Sequence, residues 1–266
     1  MSRFACLACA LLFASSLSYG EEQPLLTSPG IPDWQKGQQA MLDGETEKAI
    51  SLFRQSLKQD PDLVRNRLSL AAAYLAEGEE EQALEQLGVY VDAKPDHFIV
   101  RGQYAELLWR LDRLETAREQ FERFDADLQD CEAPTQKQLA QCHSRLMDIA
   151  ARTEDDYGRH LHRGIALYWL ARQRAELTGA DRDALPCEGL YCQSASELVQ
   201  ARRARPEEAR PSWYLHEVWT QLGQRQPATR WLRIAAEYAP LSYLTPAEQR
   251  RLHFARRQQI ETALRK

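Results

Sequence analysis

Residues of one size class recur along this chain at a constant interval of 34 positions, and no other feature limits its possible folds so sharply. Gly44 and Gly78 stand 34 apart with Asp112 at the next step; Ala49, Ala83 and Ala117 keep the same interval, as do Phe53, Leu87 and Phe121. Gly37, Ala71 and Ala105 repeat it nearer the start of each segment, and Pro61 and Pro95 close the first two. Such a period suits a helical hairpin that buries its apolar faces only by stacking on neighbours. Small side chains at 37, 71 and 105 and at 49, 83 and 117 let two helix backbones approach where they cross. Glycine at 44 and 78 ends each first helix in a left-handed conformation that other residues avoid. Phe53, Leu87 and Phe121 are expected to fill the space between one hairpin and the next. A proline stops the second helix because it cannot donate the backbone hydrogen bond that continuation needs.

Small residue, glycine, alanine, large apolar residue and proline in register over 34 positions resemble the tetratricopeptide repeat family, best over about residues 30–128. This sequence departs from the family pattern in places: Trp34 stands one place late, Tyr74 fills the usual tyrosine place only in the second segment, and the third lacks its closing proline. The register then slips and returns. Ala201 and Ala235 are 34 apart, Pro206 and Pro240 likewise, and Gly223 with Ala228 repeats the spacing of Gly44 with Ala49.

The expected fold is therefore all-α, a TPR-type α-solenoid of about five helical hairpins with a C-terminal capping helix. Residues 30–131 hold three TPR-like repeats and 132–208 divergent helical repeats. Within the latter, helices are expected over 135–152 and 157–177, an inserted loop at 178–193, and a further helix from Ser194. The loop is placed by the helix breakers Thr178-Gly179-Ala180-Asp181 and Pro186-Cys187-Glu188-Gly189. Residues 209–244 form another TPR-like repeat and 245–266 the capping helix. That helix opens on Thr245-Pro246-Ala247-Glu248, a capping box with proline at the first helical position.

Ahead of the repeats, Arg3 precedes an apolar run from Phe4 to about Leu17 and small residues before Glu21. This is the layout of a secretory signal peptide, residues 1–20, cut near Gly20 and followed by a linker over 21–29. The run is shorter than the roughly 20 apolar residues of a spanning helix. Export to the periplasm or extracellular space is expected, with no integral membrane insertion after cleavage. Four cysteines then remain, Cys131, Cys142, Cys187 and Cys192, an even set in a compartment that permits disulfides. Of the three possible pairings, the local one is chosen, Cys131 with Cys142 and Cys187 with Cys192, since each pair is close in sequence and flanked by turn-forming residues.

Charge is unevenly spread. Glu197–Lys266 carries thirteen Lys and Arg against seven acids, a net of +6, whereas Glu21–Ala195 carries a net of −12. A basic end can steer an acidic partner or an anionic surface, and the plainer account is a solvated helix face. The export signal argues against nucleic acid as a partner.

No constellation for chemistry stands out. Of the six histidines only His160 and His162 are close neighbours, and two apart on a helix they point to different faces. Zinc sites use His pairs three or four apart or Cys-x-x-Cys units, so no metal and no cofactor are expected, and no enzyme activity. Resemblance to the tetratricopeptide family implies a groove lined by the first helices. Carried onto this sequence, its positions fall on Trp34, Gln38, Met41 and Leu42, on Arg65, Leu68, Ala72 and Leu75, and on Ile99, Glu106, Trp109 and Arg110. Gln38, Ala72 and Glu106 are the wrong groups for a carboxylate clamp. Trp34 and Trp109 are the best candidate anchors, because aromatic side chains dominate binding energy in exposed pockets. The expected function is an exported adaptor or scaffold that binds a peptide or protein partner in this groove, within an envelope assembly. The alternative is an enzyme-associated or thiol-redox accessory role for the 178–193 cysteine loop.

Overall fold

A computed structural model of the chain describes residues 28–131, 135–177 and 188–264. Among them stand twelve α-helices and no strand, so the protein is all-α as expected. The expected signal segment 1–20 lies outside the described residues, as do residues 178–187 of the expected insertion. The helices group into two compact units that part between Gln120 and Phe121.

The first unit contains α1 (Ile31–Leu42), α2 (Thr46–Gln59), α3 (Val64–Glu77), α4 (Glu80–Ala93), α5 (Phe98–Arg110) and the start of α6 (Leu114–Asp130). Helix α1 packs on α2, α2 on α3, α3 on α4 and α4 on α5, with α1 also touching α3. The periodic small residues are where the helices meet: Ala49, Ala71, Ala83, Ala105 and Ala117 are each fully buried. Gly37 meets the Phe53 ring, whose nearest atom lies 2.5 Å from where a Cβ on Gly37 would stand. Phe53 thus fills the crossing within its own hairpin, α1 on α2, rather than only the space before the next. Its link to the following hairpin is made by the backbone, where Asn66 Nδ2 donates to Phe53 O at 2.8 Å.

The second unit contains the rest of α6, then α7 (Gln136–Arg152), α8 (Asp156–Leu177), α9 (Glu188–Ala204), α10 (Ala209–Gln221), α11 (Arg225–Tyr238), a 3-10 turn (Ala239–Leu241) and α12 (Pro246–Leu264). Each of α7 to α11 packs on its successor, and α8 also reaches α10. Helix α9 begins at Glu188, so the helix expected from Ser194 starts earlier and residues 188–193 are not loop. Its crossing with α8 is close as well: Ser194 Oγ donates to Gly164 O at 2.7 Å, and a Cβ on Gly164 would meet Leu198 at 2.7 Å.

Among the described residues one turn is built five times. Gly44, Gly78 and Gly223 adopt positive φ of 79°, 82° and 70°, and Asp112 and Glu154 do so without being glycine, at 62° and 57°. After each, the next amide reaches back to the carbonyl five residues earlier: Glu45 to Ala40, Glu79 to Tyr74, Arg113 to Leu108, Asp155 to Ala150 and Gln224 to Trp219, all at 2.8–3.0 Å. This is the Schellman closure of a helix on a left-handed residue. Asp155 then caps α8, its Oδ1 accepting from Gly158 N at 3.0 Å. The second helices stop where the prolines require, α2 before Pro61, α4 before Pro95, α9 before Pro206 and α11 before Pro240. No helix among the described residues is long and apolar enough to cross a membrane.

Candidate functional site

All of the groove positions implied by the family resemblance lie in the first unit on the first helices of their hairpins. Trp34, Gln38 and Met41 stand on α1, Arg65, Leu68, Ala72 and Leu75 on α3, and Ile99, Glu106, Trp109 and Arg110 on α5. Spacings of three, four and seven place the α1 set, the α3 set and, on α5, Ile99, Glu106 and Trp109 each on one helical stripe, with Arg110 next to it. Exposure then sorts them. Leu68 and Ala72 are buried and belong to the apolar core, while Trp34, Gln38, Met41, Arg65, Leu75, Ile99, Glu106 and Trp109 are half-buried and Arg110 is exposed. Leu42, at 77%, is nearly free of contacts. Trp34 and Met41 pack along the edge of the core.

Trp34 also acts inside the fold. Its Nε1 donates to Ser69 Oγ at 3.0 Å, joining α1 to α3 across one repeat. The indole is therefore held in one orientation with part of its face open, which is how an aromatic anchor avoids losing side-chain freedom on binding. On α5, Arg110 pairs with Glu80 of α4, and its guanidinium is anchored beside the stripe rather than aimed across it.

A second constellation, in the second unit, was not foreseen from the sequence. Arg210 on α10 is buried between two carboxylates: its Nη2 donates to Asp125 Oδ2 at 2.6 Å and its Nε to Glu248 Oε1 at 3.0 Å. Tyr214 Oη donates to the same Glu248 oxygen at 2.9 Å. Glu248 meanwhile keeps its place in the expected capping box, accepting from Thr245 N at 2.9 Å while Thr245 Oγ1 accepts from Glu248 N at 3.2 Å. Gln129 donates to Asp125 at 3.0 Å. On the other side, His143 Nε2 lies 3.2 Å from Asp125, and His143 Nδ1 is 3.0 Å from His162 Nδ1 with both rings buried. Four helices, α6, α7, α10 and α12, thus contribute charged or polar groups to one buried network, and α8 joins through His162.

Burial alone would raise the Asp125 pKa, but the neighbouring His143 and the Arg210 guanidinium, with a hydrogen bond from Gln129, outweigh it and hold the carboxyl well below the usual range. Burial opposes the Arg210 charge too, and Glu248 and Asp125 more than compensate, keeping it cationic. Desolvation first, and Glu248 second, push the Tyr214 hydroxyl well up, so it stays a donor. The stability consequence has a definite sign. A carboxyl with a depressed folded pKa contributes fully above its unfolded value, near 4, and loses that contribution as pH falls toward the folded pKa. Stability of this unit is expected to hold from neutral pH down to about 4 and to decline below it. In Asp125→Asn, acid titration followed by circular dichroism should show a lower starting stability and a shallower decline.

The expected Cys131–Cys142 bridge is not present: Cys131, Cys142 and Cys192 are free thiols. Cys142 Sγ faces Phe121 O at 3.4 Å, near the middle of α6, whereas Cys131 Sγ turns back to Leu128 O at 3.2 Å at its end. Ten residues of helix separate those levels by about 15 Å, and a disulfide needs Cα atoms within about 7 Å. Closeness in sequence misled because Cys142 stands well inside α7 while Cys131 stands at the end of α6. Burial pushes the Cys142 thiol well up. Cys192 is exposed on α9, and its expected partner Cys187 lies outside the described residues. Among the described residues no three His, Cys, Asp or Glu side chains converge as a metal site would require.

No curated protein sequence matches the chain. Among solved structures it is similar to MamA, with 14% identity, 79% of this chain and 91% of that chain covered and a TM-score of 0.41. It is also similar to PilW, described as a widely conserved type IV pilus biogenesis factor, at 19% identity, 84% and 98% coverage and a TM-score of 0.39. Pseudomonas aeruginosa PilF gives 16% identity, 80% and 93% coverage and a TM-score of 0.38. Residues 40–98, from the end of α1 to the start of α5, match the family model of the tetratricopeptide repeat.

Proposed function

We propose that the chain is an exported adaptor that holds a peptide or protein segment against the first helices α1, α3 and α5. The observation that carries this reading is the position of Trp34: half-buried, locked by Ser69 on the next repeat, and on one stripe with the half-exposed Gln38 and Met41. The tetratricopeptide match at 40–98 supports it, since stacked hairpins of this kind offer a repeated side-chain surface for extended partners. Around the indole the surface is mixed, apolar at Met41, Leu75 and Ile99 with Gln38 and Glu106 between, which suits a segment of alternating character. Periplasmic or extracellular placement belongs to the same proposal and is carried by residues 1–20.

A photo-crosslinking amino acid at Gln38, with a second at the exposed Lys58 on α2 as control, tests the site. Products formed from Gln38 in envelope extract and absent from Lys58 are expected. They should fall by about ten-fold when Trp34 and Trp109 are both replaced by alanine, given what exposed aromatic anchors contribute. Equal products from both positions, or no change on losing both tryptophans while far-UV circular dichroism is retained, would refute the groove.

A further inference from the structure

The basic C-terminal stretch is not spread evenly over its helices. A surface cleft of about 490 Å³ opens between α11 and α12, within the range of pockets that hold ligands. Leu232, only 3% exposed, lies at its floor with Ala236, and Ile260 of α12, 52% exposed, forms one wall. Leu264, 81% exposed and one turn further on, prolongs the apolar stripe past the cleft. Arg233 and Arg256 stand at the rim, one from each helix, and Glu237 is the single acid beside them.

Neither rim arginine makes an ion pair with a described residue, whereas several arginines elsewhere in this unit do. Arg210 is held by Asp125 and Glu248, Arg163 by Glu197, Arg205 by Asp155 and Arg250 by Asp130. The one acid on α12 nearest the unit's interior, Glu248, is consumed by the buried network. What remains on the outside of α11 and α12 is an excess of positive charge around an apolar recess. The plain account, that α12 is a polar cap, explains the arginines, while Ile260 and Leu264 add apolar surface beside the recess.

We propose that this cleft docks an acidic peptide segment that inserts an aliphatic side chain between α11 and α12, its carboxylates meeting Arg233 and Arg256. Charge complementarity selects the acidic flanks, and the recess selects a side chain. The same recess disfavours a membrane: Leu232 lies beneath the rim, where a protruding side chain reaches and a flat headgroup layer does not. The site is separate from the α1–α3–α5 stripe, and either can stand without the other.

A short fluorescein-labelled peptide of alternating Glu and Leu, titrated with the full chain and read by anisotropy, is the probe. Native protein is expected to bind it and to bind the Glu-and-Ser and Lys-and-Leu counterparts at least about ten-fold more weakly. Arg233→Glu, Arg256→Glu and Ile260→Ser should each weaken binding by a similar factor. Lys137→Glu, which makes the same charge change at an exposed site on α7, and the pair Trp34→Ala with Trp109→Ala should leave it unchanged. Rising salt should weaken binding throughout. The proposal is overturned if Lys137→Glu costs as much as Arg233→Glu, if the Glu-and-Ser peptide binds as well, or if phosphatidylglycerol vesicles displace the peptide and are themselves released by Ile260→Ser. Self-association through the same residues, seen by sedimentation and abolished by Ile260→Ser, would equally overturn it.

Discussion

Arg210→Met should destabilise the second unit by about 3–5 kcal/mol, the usual cost of breaking a buried ion network from one side. The magnitude follows from what the substitution leaves behind. Asp125 and Glu248 are 1% and 0% exposed, and both place an oxygen within 3 Å of the guanidinium. Without it, two buried carboxylates lose the one guanidinium they share, and Asp125 keeps only His143 and Gln129 beside it. Tyr214 and Gln129 can each donate to one of them, but neither carries charge. Denaturant unfolding measures the total. Hydrogen exchange should place the loss in α10 and α12, with amides of α1 to α4 keeping their protection.

A triple variant separates the network's worth from the cost of leaving it half-built. Arg210→Met with Asp125→Leu and Glu248→Gln removes the guanidinium and both carboxylates, while glutamine still closes the capping box with Thr245. Buried ion pairs replaced wholesale by apolar groups are often neutral in stability, so the triple variant is expected to be more stable than Arg210→Met alone. A cost below about 1 kcal/mol for Arg210→Met would mean that water already screens these groups. That outcome would contradict the burial on which the account of Asp125 rests.

Phe53→Ala is the second large effect, expected to cost about 3–5 kcal/mol in the first unit. Phe53 is fully buried, and its ring occupies the space that a side chain on residue 37 would need. Gly37→Ala tests the same contact from the other helix. Alanine is favoured over glycine in a helix by about 1 kcal/mol, yet here its Cβ would stand 2.5 Å from the ring, and overpacking of that kind costs about 1–3 kcal/mol. A net loss is therefore expected where propensity alone predicts a gain. Combining Gly37→Ala with Phe53→Leu should cost less than the sum of the two single changes, because the smaller side chain makes room for the new methyl. Additive losses, read from urea midpoints of the three variants, would show that glycine at 37 serves something other than the ring.

Much of the hairpin geometry was legible because it depends on neighbours a few residues away. Gly44, Gly78 and Gly223 announced left-handed turns and adopt them, and Thr245 with Glu248 announced a capping box and forms it. Asp112 is marked as a turn only by its 34-residue spacing, and Glu154 falls outside that register. The Gly164–Ser194 crossing escaped notice for a related reason: it occurs once, and a contact without a period leaves no pattern in the chain.

The sequence alone settled that this is an all-α protein whose helices turn back on themselves at defined residues, because turn conformation and helix termination are local properties of glycine, proline and capping side chains. It could not say where the polar groups freed by that local logic would end. Asp125 and Arg210 are separated by 85 residues, and Gln129 and Glu248 by 119. Only the packing of α6, α7, α10 and α12 makes them neighbours. Once there, desolvation leaves each charge no stable alternative to the partners it has.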